Sequence, residues 1–174
     1  MSVVLVECDH SHRAEILAIF NDAIANTTAL WEYEPRSMAT IDAWWEDKVR
    51  GRYPIIGSVD ERGRLLGFGT YGPFRSRPAY KYTIEHSVYV DALSRGKGIG
   101  TLLLAAIIER ARQQQYHVLV GGIAADNAVS IALHQRFGFE RCGRVKQAGF
   151  KFGRWLDLEF YQLLLETPQH PIDG

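Results

Sequence analysis

Thr83-Ile84-Glu85-His86-Ser87-Val88-Tyr89-Val90 is followed, four residues on, by Arg95-Gly96-Lys97-Gly98-Ile99-Gly100 and then by the apolar run Leu102 to Ile108. β-Branched and aromatic residues alternate through the first segment, which predicts a strand. Ile99, Leu102, Leu103, Ala106 and Ile107 recur at helical spacing and predict a helix over 100–115, apolar on most of its circumference and therefore buried. Glycines between a strand and a helix N-terminus form an anion cradle. The helix end exposes backbone N–H groups with about half a positive charge, and glycine lets a phosphate approach that backbone. Arg95 and Lys97 add positive charge. The spacing G-x-G-x-G is not the G-x-G-x-x-G of dinucleotide folds, and the G-K-[ST] ending of a P-loop is missing, so both nucleotide readings fit poorly.

Outward from this stretch, 3–7 reads as a strand, and Ser11 as the cap of a helix carrying Ile16, Ile19, Phe20, Ala23 and Ile24. A loop over 26–35 holds Trp31 and Tyr33, and a second helix over 40–49 holds Trp44 and Trp45. Strands follow over 53–59 and 65–71, joined at Glu61-Arg62-Gly63, with a break at Gly72-Pro73. Downstream come a strand over 118–123, a helix over 127–137 closed by Gly138, and strands over 141–146 and 155–165. The order β-α-α-β-β-β-α-β-α-β-β predicts an α/β fold: a mixed, mostly antiparallel sheet with helices on both faces. One domain over 1–166 and a tail over 167–174 account for the 174 residues.

The composition is 47% hydrophobic and 23% charged, which excludes a disordered chain. Twenty Lys+Arg balance twenty Asp+Glu, so a dedicated nucleic-acid binder is not expected. Two cysteines without CxxC spacing exclude a disulfide scaffold and point to a reducing, cytoplasmic setting. No stretch is long and apolar enough to predict a membrane span or a signal peptide. Cys8, His10 and His12 lack a fourth ligand, and no metal is expected.

Arg95-x-x-Gly98-x-Gly100, after a strand ending Val88-Tyr89-Val90, resembles the pyrophosphate loop of the GNAT superfamily of N-acetyltransferases. Asn127 to Phe139 resembles that superfamily's next helix. Residues 85–90, Leu133-His134 and 151–157 are similar to its phosphinothricin and methionine sulfoximine N-acetyltransferases, and the likeness runs from about Val3 to Leu165. The resemblance implies acetyl-CoA as co-substrate and direct transfer to the α-amine of a small anionic amino-acid-like acceptor in a homodimer. It implies that Arg95, Gly96, Lys97, Gly98, Ile99, Gly100 and Thr101 hold the pyrophosphate, with Asn127 and Ser130 nearby. It also implies that Val88, Tyr89 and Val90 pair with the pantetheine arm where their strand splays from the next.

Glu85 then becomes the general base, while the residues alone leave it equally readable as a surface acid paired with Lys81. By alternation Glu85 shares a face with Thr83, Ser87 and Tyr89. His134, one helix face with Asn127 and Ser130, stands where many GNAT enzymes have a tyrosine acid; it reads as a second acid–base group or a structural histidine. Val129, Ala132, Leu133 and Phe137 are expected on that helix's core face. The segment 72–80 is similar to the substrate loop of phosphinothricin enzymes, so Arg75, Arg77 and Tyr80 join Glu85, His86, Ser87 and Trp31 as acceptor-binding candidates. Arg75 and Arg77 are otherwise a solvated charge run, and His86 reads more as packing than as a catalyst. Rival readings are a GNAT enzyme for a polyamine, aminoglycoside or protein N-terminus, a CoA-binding module without turnover, and a nucleotide-binding module.

Overall fold

The computed structural model describes residues 2–173. Its elements are β1 (Val4–Glu7), α1 (Arg13–Asn26), α2 (Met38–Arg50), β2 (Ile55–Val59), β3 (Leu65–Pro73), β4 (Thr83–Val90), α3 (Ile99–Gln113), β5 (Val118–Ala124), α4 (Ala128–Arg136), β6 (Glu140–Lys151) and β7 (Arg154–Leu164). The seven-stranded sheet has the order β1-β2-β3-β4-β5-β7-β6. β4 and β5 run parallel, whereas β1/β2, β2/β3, β5/β7 and β6/β7 run antiparallel, so the sheet is mixed and mostly antiparallel as expected. The β5-α4-β6 unit does not yield a paired parallel ladder, because β7 folds back and lies between β5 and β6. The chain forms two compact units, one from residues 2–71 and 87–107 and one from 72–86 and 108–173.

In the first unit, Asp9 rather than Ser11 starts the helical segment. Its carboxylate accepts from Ser11 N at 2.8 Å, and His12 Nδ1 accepts from Asp9 N at 3.1 Å, so Ser11 sits inside a 3-10 turn that leads into α1. A carboxylate one step upstream reaches the free turn amides, which satisfies donors that water would otherwise have to meet. Ser37 caps α2 through Thr40 N at 3.2 Å, two residues earlier than the periodicity suggests. Ile16, Ile19 and Phe20 of α1 and Ile41 and Trp45 of α2 close over Ile55, Val59, Leu65 and Phe68 of the strands. Phe20 meets Phe68, Trp44 and Tyr89 edge-on, with ring centroids 5.1, 5.4 and 5.0 Å apart. Each such pair contributes about 1 kcal/mol beyond its buried area. Burial pushes the Cys8 thiol up to about 12, which makes it a poor nucleophile.

In the second unit, β5 is buried at Leu119, Val120, Ile123 and Ala124. Arg141 and Arg144 of β6 bridge to the nearly buried Glu159 of β7, and Arg144 also pairs with Asp157. The tail is bonded rather than loose: His117 Nδ1 donates to Thr167 O at 2.8 Å, and Ile172 N to Tyr82 Oη at 3.2 Å. Two burial expectations fail. Leu102 of α3 is 43% exposed, because the buried stripe runs Ile99-Leu103-Leu104-Ile107-Ile108-Ala111 and leaves the opposite side to solvent. On α4 the buried side chain is His134, while Val129 is 82% exposed, so the polar stripe and not the apolar one faces inward. Among the described residues no helix is long and apolar enough to cross a membrane.

Candidate active site

The glycine loop lies in the first unit. Gly96 and Gly98 have φ of +75° and +81°, the left-handed region that side chains resist, and a Cβ on either would meet nothing within 4 Å. Glycine is therefore required by the turn, and the space above it is open. The first helical bond of α3 runs from Leu102 N to Gly98 O at 3.1 Å. The amides of Ile99, Gly100 and Thr101 thus form the first turn and have no partner within the helix. Arg95 is tied to Asp22 at 2.8 Å and to Val90 O at 3.3 Å, and Lys97 Nζ donates to Leu93 O at 2.7 Å. Both cations brace the loop as well as charging it. Trp31 Nε1 donates to Thr28 O at 2.9 Å, which fixes the indole in its own loop. Ser87, Val88, Tyr89 and Val90 are half-buried along β4.

Glu85 lies in the second unit, where the parallel ladder of β4 and β5 runs from Thr83↔Val118 to Glu85↔Val120 and both strands continue beyond it. The carboxyl group is half-buried. Burial pushes its pKa up from the ordinary glutamate value, and the nearby Arg75 charge pulls part of that back. Arg75 stacks its guanidinium 4.1 Å over the Phe74 ring and donates to Phe74 O at 2.7 Å; Tyr80 meets the same ring edge-on at 5.9 Å. Arg77 begins the short 3-10 turn Pro78–Tyr80 and is exposed.

His134 is buried against His86, with Nε2 to Nε2 at 2.9 Å and ring centroids 5.1 Å apart. Its Nδ1 lies 2.7 Å from Ser130 O. Asn127 Oδ1 accepts from Ser130 N at 3.1 Å and so caps α4. Burial lowers the pKa of both imidazoles, and for His86 the His134 ring adds to the effect.

The structure brings together Glu85 with Arg75, and His134 with His86 and Ser130. It does not bring Glu85 to His134. A Cβ on Gly122 would meet Glu85 Oε1 at 3.1 Å, whereas one on the neighbouring Gly121 would meet His86 Cε1 at 3.1 Å and His134 Nε2 at 3.3 Å. Adjacent strand residues face opposite sides of a sheet, so the carboxylate and the imidazole pair occupy opposite faces of the β4/β5 ladder. Sequence reasoning passed over Gly121 and Gly122. Two consecutive glycines inside a buried strand were the available signal, since such residues mark close approach.

Residues 9–159 match the family described as an acetyltransferase (GNAT) domain, and the chain belongs to the GNAT acetyltransferases. Within that family it is 51% identical over 151 residues to the L-methionine sulfoximine/L-methionine sulfone acetyltransferase of Pseudomonas aeruginosa, covering 87% of this chain and 88% of the relative. It is 34% identical to the phosphinothricin N-acetyltransferase of Streptomyces coelicolor, covering 83% and 85% of the two chains. The fold superimposes on a GNAT phosphinothricin acetyltransferase from Sinorhizobium meliloti in complex with AcCoA, with a TM-score of 0.94, 34% identity and coverage of 100% and 95%.

Proposed function

We propose that the protein moves the acetyl group of acetyl-CoA to the α-amine of a small anionic amino-acid-like acceptor such as methionine sulfoximine, methionine sulfone or phosphinothricin. The observation that carries this reading is Glu85. It is a half-buried carboxylate with a raised pKa, given room by Gly122 and within electrostatic reach of the cationic Arg75. A carboxylate so placed accepts the proton of an ammonium while a guanidinium holds an anionic acceptor group. The positive-φ glycines and the first-turn amides of α3, which have no partner within the helix, support pyrophosphate binding by residues 95–101. The short β4/β5 ladder supports pairing of Val88, Tyr89 and Val90 with the pantetheine arm.

The reaction is a direct displacement. The amine nitrogen bonds to the thioester carbonyl carbon, the C–S bond breaks, CoA leaves as thiolate, and Glu85 takes the proton from nitrogen. Backbone N–H groups near Tyr89 and Val90 stabilise the oxyanion, and His134 is the site's second titratable group. Arg75, Arg77, Tyr80, Ser87 and Trp31 are the acceptor-binding candidates, whereas His86 is buried against His134 on the face opposite Glu85. The protein works as a single acetyltransferase domain over 1–166, as a cytoplasmic homodimer that confers resistance to such acceptors. The exposed Val145, Phe150, Phe152 and Trp155 of the β6–β7 hairpin support a second copy.

Thiol release from acetyl-CoA, followed across methionine sulfone, methionine sulfoximine, phosphinothricin, ordinary amino acids and a polyamine, tests the reading. Turnover with the first three is expected. CoA binding without thiol release for any amine would leave a non-catalytic binding module instead.

A further inference from the structure

One further ring and a glycine flank the imidazole pair. Phe139 packs on both imidazoles, with centroids 5.1 Å from His86 and 5.0 Å from His134, and Gly121 leaves the floor open for them. The hydrogen bonds of this nest fix its protons. A carbonyl oxygen only accepts, so His134 Nδ1, 2.7 Å from Ser130 O, carries the hydrogen. The Ser130 hydroxyl, at 3.4 Å from the same nitrogen, is too far to compete. A neutral His134 then has a bare Nε2, and the group facing it at 2.9 Å is His86 Nε2. His86 Nε2 must therefore be the donor, which leaves its Nδ1 bare. That nitrogen has no partner in hydrogen-bond geometry, although the Val120 backbone lies close enough to offset part of the lowering that burial imposes on the ring, so the assignment rests on the 2.7 Å contact of His134 Nδ1 with Ser130 O.

We propose that His86 is the positioning residue of His134: its Nε2–H donates to His134 Nε2 and, with the Ser130 carbonyl, holds that ring in the Nδ1–H tautomer and in one orientation on the face opposite Glu85. Free imidazole favours the other tautomer, so the arrangement is imposed by the fold. Both nitrogens of His134 are occupied, which keeps the ring from turning. Only the kinetic arm of the test below rests on the acetyl-transfer reading.

Imidazole nitrogen NMR of the full chain at neutral pH, free of ligands, reads the tautomers directly. The expected result is Nδ1–H with bare Nε2 for His134, and Nε2–H with bare Nδ1 for His86. An Nε2–H tautomer at His134 overturns the proposal, whatever any variant does. His86→Phe keeps a ring against Phe139 and removes the donor, whereas His86→Gln restores an N–H near the same place. The phenylalanine variant should show mixed His134 tautomers and a fall in kcat on the order of tenfold with the acetyl-CoA KM unchanged, and the glutamine variant should recover both. A phenylalanine variant with wild-type tautomers and wild-type kcat overturns the proposal. The expected tautomers in a wild-type protein without turnover would support the hydrogen-bond assignment and remove the acetyl-transfer reading instead.

Discussion

Glu85 Oε1 lies 3.1 Å from the point where Gly122 would carry a Cβ, with Leu158 Cδ1 next at 3.6 Å. An alanine there forces the carboxylate to yield by a few tenths of an ångström, and a valine forces more. The end of a glutamate side chain moves easily, so the fold should survive while the base is misplaced. Misplacement by about 1 Å can cost on the order of 100-fold in rate. Gly122→Ala should lower kcat modestly and Gly122→Val by about 10- to 100-fold, both with unchanged acetyl-CoA KM. Gly143→Ala is the control, since a Cβ there meets nothing within 4 Å. Steady-state rates that do not separate Gly122 variants from the Gly143 control would detach Glu85 from the chemistry.

Glu85→Gln removes the base with little change of shape. Its kcat should fall about 100-fold or more, and raising the pH should recover part of the loss because more acceptor amine is already neutral. Arg75 gives the same assignment a signed pH test. Its charge lowers a carboxyl pKa that burial raises, so Arg75→Ala moves that pKa further up. A base works only when deprotonated. The acidic limb of the kcat/KM profile should therefore shift to higher pH in Arg75→Ala, with a raised KM for anionic acceptors and an unmoved alkaline limb. An acidic limb that stays in place would mean that another group controls it.

Gly98, at φ +81°, faces open space, which separates strain from obstruction. Gly98→Ala carries only the left-handed backbone penalty of about 1–2 kcal/mol. Gly98→Asp adds a negative charge where a pyrophosphate would lie, so calorimetry should show CoA affinity reduced more than tenfold, beyond the alanine variant. Equal affinities in the two variants would end the phosphate-loop assignment.

Local pattern carried much of this architecture. The strand Thr83–Val90 has the bounds its alternation predicts, and α3 begins one residue earlier than its periodicity suggests. Both signals lie within the segment that folds. What sequence order hides is pairing at a distance: nothing in residues 154–164 states that β7 separates β5 from β6. The inward face of α4 was misjudged for the same reason. Val129 and Leu133 look like core, yet the partner that draws His134 inward is His86, 48 residues away in sequence. A buried polar side chain follows its hydrogen bond rather than the local apolar stripe.

That buried pair gives stability a definite dependence on pH. The folded-state pKa values of His86 and His134 lie below the ordinary 6.5, chiefly because burial disfavours the charged ring. Below about pH 6.5 the unfolded chain therefore binds protons that the folded pair refuses, and stability falls as pH falls. The slope approaches about 1.4 kcal/mol per pH unit for each imidazole. Asp9, Asp60 and Asp157 have lowered pKa values, so their contributions are lost only at more acidic pH. Glu85, with its raised pKa, acts in the opposite direction and is common to both proteins compared. Denaturant unfolding of wild type and His86→Phe at several pH values between about 6.5 and 5 isolates the pair. The variant has one buried imidazole fewer, so its stability should decline less steeply. Parallel curves would show that the unfolded and folded chains protonate these rings alike, and that the nest does not hold them neutral.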